Sequence, residues 1–303
     1  MAQDARTRSV RYAFISILAL LAMLVGFTGD KILPITVDED PVVKTATTPA
    51  PTKTSKPEAQ PTKDPLAGDP APALLEAGDL KEVRGVIGDQ KAQANTLIKR
   101  WFAANGTGKA DDGFVSWAAA QLPAEPSTVQ RQTEQATVKQ LTSSRDAAGN
   151  RAARWLNDHG CQDVWMSFTS EQLSLRSTTD DEPTETEIKT VLKLASEVAS
   201  AGQDRSGSPA ASQPKPCSGA TKPARDDCSC SYPSTQSTMS AAARTYLGKL
   251  SPYRNDQYAW MEQQVDLAAL YAGLELPSDV GSGALLGNLV GKYVLVTRGH
   301  AKP

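Results

Sequence analysis

Beyond residue 74 the apolar residues recur at steps of three, four and seven, and no run keeps up the two-residue alternation of a strand. Leu80, Val83, Ile87, Ala94, Leu97, Ile98 and Trp101 make the first such series. At 3.6 residues per turn they share one helix face, which must be buried against other helices. Asn105-Gly106 is a stop for that helix. Further helices are expected at 112–122, 127–141 and 144–159, the last capped by Gly160. Thr184, followed by Glu187 three residues on, is a capping box for a helix carrying Ile188, Val191, Leu192, Ala195 and Val198. Residues 206–231 read as a loop, and three helices at 235–248, 258–274 and 278–294 close the chain. The expected fold class is all-α, a helical bundle over 74–296. A chain of 303 residues that is 40% hydrophobic can fill one such core.

The N-terminal quarter differs. Residues 12–29 form an uncharged apolar run. As a helix it nearly spans a hydrocarbon core of about 30 Å. Arg6, Arg8 and Arg11 precede it, and Asp30 and Lys31 follow with cancelling charge. The positive-inside rule then puts residues 1–11 in the cytoplasm, 12–29 in the membrane as an uncleaved signal-anchor, and the rest outside. A cleaved signal peptide is the alternative, with Gly26-Phe27-Thr28 as the cut region, although the run is longer than a usual signal core. Residues 30–73 are rich in Pro, Thr, Lys and Ala and are expected to form an extended stalk. A tail at 297–303, containing His300, is expected to be flexible. The net charge of −2 offers no basic field, so nucleic acid is not an expected partner. The expected partners are the membrane, through 12–29, and an envelope protein or polymer.

Export suits the four cysteines, Cys161, Cys217, Cys228 and Cys230, which allow three connectivities. Cys228 and Cys230, one residue apart, are poor partners for each other. The expected bridge joins Cys161 or Cys217 to that pair. Closing so long a segment from Cys161 would stabilise by roughly 3–5 kcal/mol. A metal at Cys228-Ser229-Cys230 is disfavoured by the one-residue spacing and the lack of a neighbouring histidine.

Two strings carry a resemblance. The first runs Tyr232-Pro233-Ser234-Thr235-Gln236-Ser237-Thr238-Met239, and the second runs Tyr271-Ala272-Gly273-Leu274-Glu275-Leu276-Pro277-Ser278-Asp279. Together they resemble the phosphate-binding motifs of the phosphatidic acid phosphatase type 2 superfamily, which includes bacterial class A acid phosphatases and vanadium haloperoxidases. Ala152–Trp165 of this sequence also resembles a helix-and-turn of secreted members. The resemblance implies the all-α fold of that superfamily. It also implies a site in which a Lys and two Arg cage phosphate, one His donates a proton, a second His attacks phosphorus, and an Asp orients the second His. Such a site works by fixing donors around developing charge and holding a nucleophile with a partner.

Residue by residue, this chain departs from that pattern. Pro233, Ser234 and Asp279 match. Thr235 replaces a Gly, Gln236 the proton donor, Glu275 the nucleophile, Ala268 a Ser and Ala269 an Arg. The best register of the first basic motif puts Ala201 at the Lys and Ser208 at an Arg, with Lys215, Lys222 and Arg225 as other cations of that segment. Gln236 cannot act as an acid near neutral pH. A carboxylate about 4 Å from an anion costs roughly 4 kcal/mol at an effective dielectric near 20. The resemblance therefore implies a degenerate member, with no catalytic residues and no cofactor, serving as a binding or scaffolding protein at the cell envelope. An active phosphomonoester or lipid phosphate phosphatase using non-standard residues is one alternative, and a purely structural envelope protein another. Ser234, Gln236, Glu275 and Asp279 should then converge in one cleft that is neutral or negative.

Simpler roles stand beside these. Ser234 can be a helix N-cap, and His159 a C-terminal helix residue favoured by the dipole. Trp155, Trp165 and Trp260 read as core. Glu262 with Asp266, and Glu275 with Asp279, have helical spacing and could together hold a hard cation. Carboxylates so spaced more often form a solvated face.

Overall fold

The computed structural model describes residues 64–76, 80–143, 146–175, 185–206 and 232–303. The apolar run at 12–29, the stalk up to residue 63, Thr184, Ser208, Lys215, Cys217, Lys222, Arg225, Cys228 and Cys230 lie outside them. Among the described residues all regular structure is helical: α1 (Lys81–Asn105), α2 (Asp111–Ala119), α3 (Thr128–Ser143), α4 (Ala147–His159), α5 (Asp163–Leu175), α6 (Glu185–Ser206), α7 (Thr235–Leu250), α8 (Asn255–Ala272) and α9 (Pro277–Thr297), with a 3-10 turn at Pro252–Arg254. Helix α5 has no counterpart among the helices expected from the sequence.

Local chemistry accounts for the ends. Gly106, at φ 71, lets α1 stop: its N–H donates to the Phe102 carbonyl at 2.9 Å. Asp146 caps α4 by accepting from the Gly149 N–H at 2.6 Å. Most of the expected apolar face residues are buried. On α1 these are Val83, Ala94, Ile98 and Trp101, and on α6 Ile188, Val191, Leu192, Ala195 and Val198.

The central element is α9, which packs most extensively on α7 and then on α1 and α6. It is the one described helix long and apolar enough to cross a membrane, yet 89% of its apolar stretch is buried within the bundle. Its contact with α7 is very close. A Cβ on Gly287 would lie 2.2 Å from the Thr238 carbonyl oxygen, and one on Gly283 2.5 Å from that of Ser234. Gly291 meets Ala242 and Thr245 in the same way. Glycines at every fourth position form a groove along α9. The Ser, Thr and Ala residues of α7 fill it.

Three expectations change at the edges. The domain begins before residue 74: Leu75 is buried and exchanges two hydrogen bonds with the Gln264 side chain, and Trp155 Nε1 donates to the Asp69 carbonyl at 3.0 Å. The C-terminal tail is fixed, since the His300 N–H donates to the Leu295 carbonyl at 2.8 Å and its ring lies edge-on to Tyr246. Trp260 is exposed, unlike the buried Trp155 and Trp165, because it sits on the outer face of α8.

Candidate functional site

Each position matched to the phosphate site has a definite environment. Ser234 precedes α7, and its Oγ accepts from the Ser237 N–H at 3.1 Å, so it is an N-cap. Its own N–H donates to the Asp279 carbonyl at 3.0 Å, which pins the start of α7 to the start of α9. Asp279 serves the start of α9. Its Oδ2 accepts from the Leu276 N–H at 2.9 Å, and its Oδ1 from Arg131 Nη1 at 2.8 Å. Gln236 points elsewhere, donating to the Leu156 carbonyl of α4 at 3.4 Å. Glu275 is fully buried in the turn between α8 and α9. All four are at most 1% exposed. Ser234 and Asp279 thus come together through the backbone. At this burial the four do not line a solvent-open cleft.

Of the lost cationic positions, Ala269 is buried and Ala201 half-buried, and Ser208 lies outside the described residues. Ala268 and Ala269 are buried in α8. Ala201 lies near the end of α6, whose Gln203 and Ser206 hold the Tyr232-Pro233 turn by donating to the carbonyls of Pro233 at 3.0 Å and Tyr232 at 2.8 Å. Arg131, which sequence reasoning missed, supplies the cation that Asp279 meets. Nothing local marks it, since it sits on the mostly polar helix α3 and is 148 residues away from Asp279 in the chain. Burial pushes the Asp279 carboxyl up to about 6, with Arg131 and the Leu276 amide pulling it back.

The carboxylates of α8 form a separate seam. Glu262, fully buried, lies 3.2 Å from Lys91 of α1 and 3.6 Å from Arg244 of α7. Asp266, one turn along, is also buried, and neither of its oxygens has a hydrogen-bond partner among the described residues. Burial first, and the Glu262 charge second, hold its carboxyl well above the usual range; Lys91 and the nearby Ser237 hydroxyl offset this in part. That hydroxyl donates to the Val280 carbonyl at 3.0 Å. The four-carboxylate cation site does not assemble. Among the described residues no group of three or more His, Cys, Asp or Glu is placed to hold a metal. Glu262 lies against Lys91 and Arg244, and Asp266 feels the charges of Glu262 and Lys91, whereas Asp279 pairs with Arg131.

Comparison of the chain with protein-family models, curated proteins and solved structures finds no match.

The remaining sequence candidates are placed as follows. His159 ends α4, and its ring bonds Asp163 at 2.8 Å and Asp69 at 3.1 Å. Cys161 is buried and disulfide-bonded, to a partner outside the described residues. Two residues of the first string, Thr235 and Met239, border a cavity of about 420 Å³. Lys189 and Lys193 of α6 also line it, but they pair with Glu185 and Glu197 on their own helix, so it carries little net charge.

Proposed function

We propose that this chain is a membrane-anchored, extracytoplasmic helical protein, related to the acid phosphatases, whose motif positions now serve packing, and that it acts by binding or scaffolding at the cell envelope. One observation carries the reading: all four matched positions are at most 1% exposed, and Ser234 and Asp279 are committed to helix caps. A phosphoryl group must touch its nucleophile and its donors. With Gln236 and Glu275 in place of the two histidines, and with both buried, this chain offers neither an acid nor a nucleophile of the usual kind at a reachable point. The residues that such chemistry would use hold α7, α9 and α3 together.

The test is turnover of 4-nitrophenyl phosphate by the purified chain. Hydrolysis near the buffer rate is expected. An ordinary enzymatic rate that disappears in Glu275→Ala would replace this reading with a carboxylate mechanism. For the topology, the apolar run at 12–29 and Arg6, Arg8 and Arg11 support an N-terminus in the cytoplasm and an anchor that persists. N-terminal sequencing of the mature protein checks this: a start near residue 29 removes the anchor and leaves export intact.

A further inference from the structure

We propose that the opposite end of α7 carries a binding site for a small organic phosphate, a dianionic head group on a compact apolar body. The site is a cavity of about 390 Å³ between α1, α7 and α9. It lies about ten residues along α7 from Ser234, roughly 15 Å at 1.5 Å per residue. It is therefore separate from the positions matched to the phosphatase motifs.

The charged side chains of its lining are all basic, and Pro303 at the end of the chain also borders it. Lys99, Arg244, Lys249, Lys292 and Lys302 border it, and no Asp or Glu side chain does. Among the described residues Lys99, Lys249, Lys292 and Lys302 have no ion-pair partner, in contrast to the lysines of the 420 Å³ cavity. Arg244 has Glu262 at 3.6 Å, beyond hydrogen-bonding reach, and that one carboxylate also meets Lys91 at 3.2 Å. The Arg244 Nε is buried without a hydrogen-bond partner. Lys292 shows the cost of such crowding: its pKa is lowered, by burial first and then by the charges of Arg244 and Lys99. Like charges gathered around a concave space focus positive potential there, and an anion relieves their repulsion.

The floor defines the rest of the ligand. Ile98, Phe102, Leu295 and Val296 are buried hydrophobic residues that line the same space. A cavity of this size falls in the range of small-molecule sites, which combine apolar walls with a few convergent polar groups. Several cations favour a dianion over a monoanion, and the apolar floor favours an ester over free phosphate.

The test is calorimetric titration of the full chain at low salt with phenyl phosphate, inorganic phosphate and phenol. Saturable binding of phenyl phosphate is expected, about tenfold or more tighter than inorganic phosphate, with none for phenol. In Lys249→Gln/Lys292→Gln, affinity should fall about tenfold or more, the size of a lost charged hydrogen bond. The unliganded melting temperature of this variant should hold or rise, because repulsion is relieved. Lys99→Gln, at an exposed position, should weaken binding without touching the core, and it serves if the double variant misfolds. The proposal is overturned by an absence of saturable phenyl phosphate binding, by phenol or inorganic phosphate binding as tightly, or by unchanged affinity in the lysine variants. Binding is read as heat and hydrolysis as released phenol, so this outcome is independent of the turnover test above.

Discussion

At the scale of single residues, the ion pair of Arg131 and Asp279 is the most consequential polar contact. Asp279 is fully buried and Arg131 about a quarter exposed. Removing the cation leaves a carboxylate in the core, so Arg131→Gln should destabilise by about 2–4 kcal/mol in denaturant unfolding. The pH dependence has a definite sign. The folded pKa of about 6 lies above the ordinary 3.8, so protons favour the folded state. The contribution is full below about 3.8 and is lost as pH rises through 6. Without Arg131 this pKa climbs further, so the variant's deficit should be larger at pH 8 than at pH 5. An equal deficit at both would place the loss in packing instead. His159 behaves differently. Burial would lower its pKa, but the hydrogen bonds to Asp163 and Asp69 outweigh that and raise it above 6.5. Its stabilisation is present below about 6.5 and fades as pH rises through the folded value. The melting-temperature gap between wild type and His159→Asn should therefore shrink from pH 6 to pH 8.

At the scale of elements, the contact between α7 and α9 sets the architecture. Gly287→Ala puts a Cβ against backbone at 2.2 Å, where no side chain can swing away. It should cost about 1–3 kcal/mol or more, as overpacking does. Gly85, on the exposed surface of α1, would bring an added Cβ within 4 Å of nothing. Gly85→Ala should stabilise by about 0.4–1 kcal/mol by restricting the unfolded chain. Thermal unfolding of the two variants checks the pair, and a neutral Gly287→Ala would mean that the helices can separate cheaply. The same contact explains why the first string is so rich in Ser and Thr and is followed by Ala241, Ala242 and Ala243. Small side chains let α9 approach, so a pattern that resembles a phosphate-binding motif also has a packing cause. Helix α3 is held another way. Val138 is its single buried hydrophobic residue, and its attachment to α9 is polar, through Arg131 to Asp279 and Glu134 to Ser278 at 2.6 Å.

At the scale of the whole molecule, the disulfide of Cys161 joins the end of α4 to a part of the chain outside the described residues. A thiol count on denatured, unreduced protein should find at most two free cysteines. Reduction should then lower stability by about 3–5 kcal/mol, the range for a long closed loop. Four free thiols would remove the bridge. The bundle's charge is also uneven. Nearly balanced over the chain, at −2, it concentrates cations where α1, α7 and α9 meet. A net-charge argument from composition could not find that patch, because Lys99, Arg244 and Lys292 are far apart in the chain.

The sequence by itself determined most of the helices, though not α5, together with much of the buried faces of α1 and α6 and the ends at Gly106 and Ser234. These follow from spacing along one segment, where the 3.6-residue period and the local hydrogen bonds of Gly106 or Ser234 decide the outcome. It also showed that the positions of Gln236 and Glu275 carry no histidine. Tertiary structure alone decided what surrounds those positions. Whether Asp279 meets a phosphate or Arg131, whether Glu262 joins a metal or Lys91, and whether His300 is loose or packed on Tyr246 all depend on contacts across tens to hundreds of residues. Burial and opposite charge select those partners only once the helices are packed, and no local pattern encodes them.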